Sequence, residues 1–94
     1  MNFKTINIRD IEGNSKETTF DYKGLADYIY NTSKSISGLE LARELHKNGT
    51  IELEPGQAQI VRGSVKECFG AVVHEALFPV LDEIINKSND ATND

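Results

Sequence analysis

The stretch "SGLELARELHKNG", residues 37–49, decides how the rest of the chain is read. Leu41, Ala42 and Leu45 recur at helical spacing and form one apolar side, with Glu40, Glu44 and Lys47 off it. Ser37 and Glu40 have capping-box spacing: the hydroxyl can accept from the Glu40 amide, and the carboxylate can accept from the Ser37 amide. Asn48 and Gly49 close the segment, because glycine enters the left-handed conformation that ends many helices. The spacing predicts a helix over 38–47.

Working outward, "TIEL" (50–53) alternates Ile51 and Leu53 with polar residues and predicts a short strand. Pro55 suits the first turn of a following helix, where its missing N–H leaves no bond unmade. Ala58, Val61, Val65 and Cys68 then fall on one stripe, which predicts burial of all four. Beyond Gly70 comes the most apolar segment, about 71–87, with Val72, Val73, Ala76, Leu77, Val80, Leu81, Ile84 and Ile85. Pro79 inside it predicts a kink or a division into two helices. Towards the N-terminus, Asp21 caps a helix over "YKGLADYIYNTSK", with Leu25, Tyr28 and Ile29 inward and Gly24 weakening it. Residues 3–20 alternate around Gly13 and Asn14 and predict a β-hairpin. The predicted order is β-β-α-α-β-α-α: an α+β domain over 1–87, in which three short strands pack against about four helices. The polar run 88–94 reads as a disordered tail.

Composition excludes more functions than it suggests. Ninety-four residues make one domain. The net charge of −5, with lysines and arginines spread evenly along the chain, argues against non-specific nucleic-acid binding. Arg62, Lys66 and Arg43 would have to converge for a DNA-binding regulator. A single cysteine makes no internal disulfide and fits a reducing compartment. The opening residues lack the apolar core of a signal peptide, and no apolar run is long enough to span a membrane. A cytoplasmic protein is expected.

"CFGAVVHE" (68–75) holds the lone cysteine and one of two histidines, the residue types of nucleophile, base and metal ligand. Six residues along one helix turn through roughly 600°, which leaves Cys68 and His74 about 120° apart and nearly two turns displaced. Cys68 therefore reads as a small core residue, and His74 as a hydrogen-bonded boundary residue. His46, in the last turn of the 38–47 helix, favours the helix dipole. No CxxC, HxxxH or HxxE spacing supports a metal site. Asp82 and Glu83, like Glu44, read as solvated helix faces. No catalytic, cofactor-binding or metal-binding residues are expected, and no cofactor.

The apolar excess of the last helix is what these readings leave without an internal partner. Val73, Leu77, Val80, Leu81 and Ile84 are the candidate interface, most simply in a homodimer and otherwise with another protein. An acidic inhibitor, with Asp10, Glu12, Glu52 and Glu54 standing in for phosphates, is the alternative. The run "SKSISGLELARELHKNGTIELEPGQAQIV" (33–61) resembles short proteins encoded in prophages and mobile elements. That resemblance implies a small, non-enzymatic accessory or regulatory protein of bacterial or phage origin, and it carries no site residues with it.

Overall fold

A computed structural model of the chain describes residues 1–93, with side chains described through Lys87. The expected disordered tail, 88–94, lies outside the fully described residues. The element order is β1 (Thr5–Arg9), β2 (Ser15–Thr19), α1 (Tyr22–Thr32), α2 (Ile36–Asn48), α3 (Pro55–Cys68) and α4 (Ala71–Asn93). The α+β class holds, with a two-stranded antiparallel sheet and four helices.

The hairpin forms as its turn chemistry dictates. Thr5 lies opposite Thr19, and Arg9 lies opposite Ser15. Gly13 takes φ 88°, while the Asp10 carboxylate accepts from the amides of Glu12 (3.0 Å) and Asn14 (2.9 Å). Phe3, Ile6 and Phe20 bury the base of the hairpin in the core, and β2 is left largely to solvent.

The expected third strand is absent among the described residues. Residues 50–54 run antiparallel to the first residues of the chain, but a single bridge, Asn2 to Thr50, is all that forms. The Phe3 amide donates to Gly49 O at 2.7 Å, and the Ile51 amide donates to Met1 O at 3.0 Å. The ladder stops for local reasons on both sides. At Lys4 the chain bends, its amide donating to the Asn2 side chain at 2.8 Å. Pro55 has already begun α3 by then, with the Glu54 amide donating to Gln57 Oε1 at 2.9 Å. Five residues between a left-handed Gly49 (φ 68°) and a helix start are too few to hold register.

Helix α2 confirms the reading of residues 38–47 with its start moved. Ser35, not Ser37, is the N-cap; its hydroxyl accepts from the Gly38 amide at 3.2 Å. A side chain at Gly38 would collide with Ser33 and press on Ser35, so the glycine lets this double-serine start close. Glu40 is thereby released from the capping role. Asp21 caps α1 as expected, accepting from the Gly24 amide at 2.9 Å, and a Cβ at Gly24 would strike that carboxylate. The glycine that weakens this helix is what allows its cap.

Cys68 corrects the stripe read on α3. The helix ends there, the thiol is exposed, and Phe69 turns inward to pack in a tilted arrangement against Phe20, at 4.8 Å between ring centroids. At the end of a helix the larger ring takes the covered position because it removes more apolar surface from water. The buried face of α3 is instead Ala58, Val61, Ser64 and Val65, with the Ser64 hydroxyl donating to Ile60 O at 2.9 Å.

Pro79 does not divide α4, which runs unbroken from Ala71 to Asn93. Proline leaves the Glu75 carbonyl without its helical donor. Glu75 and Pro79 line an open cleft with Asn7, Arg9 and Ser15, where water can serve that carbonyl. The helices assemble chiefly as two pairs, α1 with α2 and α3 with α4, joined through α3, while β1 rests on α4.

Candidate functional site

Cys68 and His74 each have a separate explanation. The His74 Nε2–H donates to Val65 O at 3.1 Å, and Val65 O also accepts from the Phe69 amide at 3.0 Å. A carbonyl only accepts, so Nε2 carries the proton there. The imidazole thus closes the C-terminal end of α3, where the helix dipole favours a donor. Its ring also stacks on Phe78 at 4.6 Å, only 5° from parallel. The Cys68 thiol is pushed above its ordinary range by partial burial and then by the adjacent Glu67 carboxylate. Both effects oppose the thiolate that nucleophilic chemistry requires. Among the described residues, no three His, Cys, Asp or Glu side chains gather into a metal site.

Phe78 also organises an arginine. The Arg62 guanidinium lies 4.1 Å from the Phe78 ring centre, and its Nε donates to Asp82 Oδ1 at 2.7 Å. Cation, ring and carboxylate together seal the outer seam of α3 and α4. The expected basic set does not share a surface partner: Arg62 goes to Asp82, and Arg43 goes to Tyr30 on another helix pair.

That second arginine borders a groove. Between α1 and α2, a cavity of about 310 Å³ has Ala26 and Ala42 at its floor and Asp27, Tyr30, Arg43 and His46 at its rim. The two alanines are buried, and their small side chains leave the space. The Arg43 guanidinium sits 5.4 Å from the Tyr30 ring centre, and an Arg43 Nη2–H donates to the Tyr30 hydroxyl at 3.4 Å. Sequence spacing sets Arg43 with Arg62 and Lys66 and leaves His46 to the helix dipole, so it does not point to this grouping. The i, i+3 spacing of Arg43 and His46 could have suggested a shared face, but Tyr30 comes from a different helix.

The expected acidic set is divided by the hairpin. Thr50, beside Glu52, is bridged to Asn2, and β1 then carries the chain about 16 Å away, at about 3.3 Å per residue, before reaching Asp10 and Glu12. A different acidic set assembles instead. Glu40, Glu44 and Glu52 line a groove of about 560 Å³ with Leu41, Ile51 and Gln57. Glu40 reaches it because it is not engaged in capping.

The candidate interface is split between core and surface. Leu77 and Leu81 are buried inside this chain, at 3% and 0% exposure, while Val73 and Ile84 are half-buried and Val80 is 43% exposed. Val73, Leu77, Leu81 and Ile85 turn towards the core. Val72, Ala76, Val80 and Ile84 form an outer row in which Val72 (51%) and Val80 are exposed, while Ala76 and Ile84 are half-buried and also pack against the core. No helix among the described residues is long and apolar enough to cross a membrane. No protein-family model matches the chain, and no curated protein or solved structure is similar enough to place it in a family.

Proposed function

We propose that the chain is a non-enzymatic interaction module that associates with a second copy of itself through α4. The observation that carries this reading is the exposed pair Val72 and Val80 on one row of α4, extended by the half-buried Ala76 and Ile84, which also pack against the core. Side chains four apart form the ridge of the commonest helix-packing class, in which two such ridges interleave at about 50°. A two-fold axis would then set each ridge against its own copy. Against the enzymatic alternative stand the use of His74 at the end of α3 and the upward push on the Cys68 thiol from partial burial and Glu67. The setting follows the resemblance to prophage-encoded proteins: a small accessory protein of bacterial or phage origin, acting in the cytoplasm.

A second reading, an acidic inhibitor that fills a basic site on another protein, has the Glu40, Glu44 and Glu52 groove in its favour. It no longer draws on Asp10 and Glu12. A DNA-binding regulator is disfavoured, because Arg62 already holds a carboxylate.

Solution mass by light scattering over a tenfold concentration range tests the main reading on wild type and Val80→Asp. Leu77→Asp would not serve, because Leu77 is core and the variant would unfold whatever its role in assembly. A wild-type dimer and a folded, monomeric Val80→Asp variant are expected. A wild type that stays monomeric, or a Val80→Asp variant that still dimerises, overturns the proposal.

A further inference from the structure

We infer that the groove between α1 and α2 is a docking site for an acidic side chain of a partner protein, received by Arg43 at the rim. Each of two guanidinium groups lies over an aromatic ring, Arg62 over Phe78 and Arg43 over Tyr30. Arg62 is completed by a carboxylate, Asp82, at 2.7 Å. Among the described residues Arg43 has no carboxylate within ion-pair distance, and its only side-chain bond is the long one to the Tyr30 hydroxyl. A guanidinium has five N–H donors in a planar fork that matches a carboxylate, so most of the Arg43 donors have no side-chain partner among the described residues.

Three further features suit the groove to a carboxylate carried on an apolar neighbour. Stacking on Tyr30 restricts the Arg43 side chain, which reduces the entropy lost when a ligand binds. Ala26 and Ala42 give an apolar floor, and about 310 Å³ is room for one or two side chains rather than a helix. His46, one turn further along α2, adds a second donor on the same rim. Asp27 also lines the rim. Its charge opposes an incoming carboxylate, so it sets a limit on affinity and makes a specific control. This site is separate from the α4 ridge, so either can fail without the other.

The probe is a pair of capped tripeptides, acetyl-Leu-Glu-Leu-amide and its Gln counterpart, titrated into the full-length protein at constant ionic strength. Binding is followed by the Arg43 Nε–H and Tyr30 ring resonances. The Glu peptide should produce saturable shifts at both residues, and the Gln peptide should bind about tenfold more weakly, the size expected for one charge-assisted bond. Arg43→Gln should abolish the difference between the peptides while keeping the wild-type circular dichroism. Asp27→Asn should tighten binding of the Glu peptide. Equal binding of the two peptides, shifts centred on Arg62 and Phe78, or weaker binding by Asp27→Asn would each overturn the assignment.

Discussion

The two helical seams are built from similar parts and come out differently. Where α3 meets α4, Arg62, Phe78, Asp82 and His74 interlock, and each polar group has a protein partner. Where α1 meets α2, leucines and isoleucine fill the core side, but the outer side of the contact has only the small Ala26 and Ala42, and the arginine and histidine stay at an open rim. Side-chain size at the crossing accounts for the difference. A phenylalanine at position 78 is large enough to reach the facing helix and hold a guanidinium over it. Two alanines let the backbones approach but leave the groove above them unfilled. The lesson is that an arginine on an aromatic ring is structural when a carboxylate from the next helix completes it, and is available when none does.

The largest expected effect tests whether the closed seam holds the fold. Leu81 is fully buried on the core side of α4, and Leu81→Ala should cost about 2–5 kcal/mol, the range for a leucine deleted from a packed core. Val80 is its neighbour on the outer row, and Val80→Ala should stay within about 0.5 kcal/mol under conditions where the chain is monomeric. Urea denaturation of both variants measures this. Similar losses would mean that the outer row is packed as tightly as the inner one, and the ridge would not be free.

An intermediate effect separates the two histidines, each near the end of a helix. His74→Ala removes the bond to Val65 O and the stack on Phe78, and should cost about 1.5 kcal/mol. His46 makes no side-chain hydrogen bond among the described residues, and His46→Ala should change stability by less than about 0.5 kcal/mol at neutral pH. Equal costs would break the contrast between a closed and an open seam.

Much of the fold was legible because it rests on local chemistry. Gly13 in the hairpin turn, Asp21 as a cap and Gly49 at the end of α2 each act within four residues of themselves, and each appears where the sequence places it. The failures share a dependence on something distant. An alternating "TIEL" becomes a strand only if an edge is offered over several residues, and the bend at Lys4 limits that edge to one bridge. The start of α2 carries serines at 33, 35 and 37, and the close packing of Ser33 and Ser35 around Gly38 selects among them. Cys68 and Phe69 compete for one covered place, which Phe20, far away in sequence, decides in favour of the ring. The rim of the α1–α2 groove was not legible, since no spacing rule links Tyr30 to Arg43.

The smallest effect discriminates most sharply between the two arginines. Arg62 and Asp82 are both partly exposed, so their pairing should contribute only about 0.2–1 kcal/mol in a double-mutant cycle. The cation over Phe78 adds about 0.5–1 kcal/mol at such a site, which puts Arg62→Ala near 1 kcal/mol in total. Arg43 lacks the carboxylate and sits farther from its ring, so Arg43→Ala should fall within about 0.5 kcal/mol. Added salt should shrink the Arg62–Asp82 coupling, because exposed charges are screened, and should leave the Arg43→Ala value unchanged. If Arg43→Ala cost as much as Arg62→Ala, and lost that cost in salt, Arg43 would already hold an anion within its own chain. Asp27 is the carboxylate lining that groove, which would then be a second closed seam with no donor left for a partner.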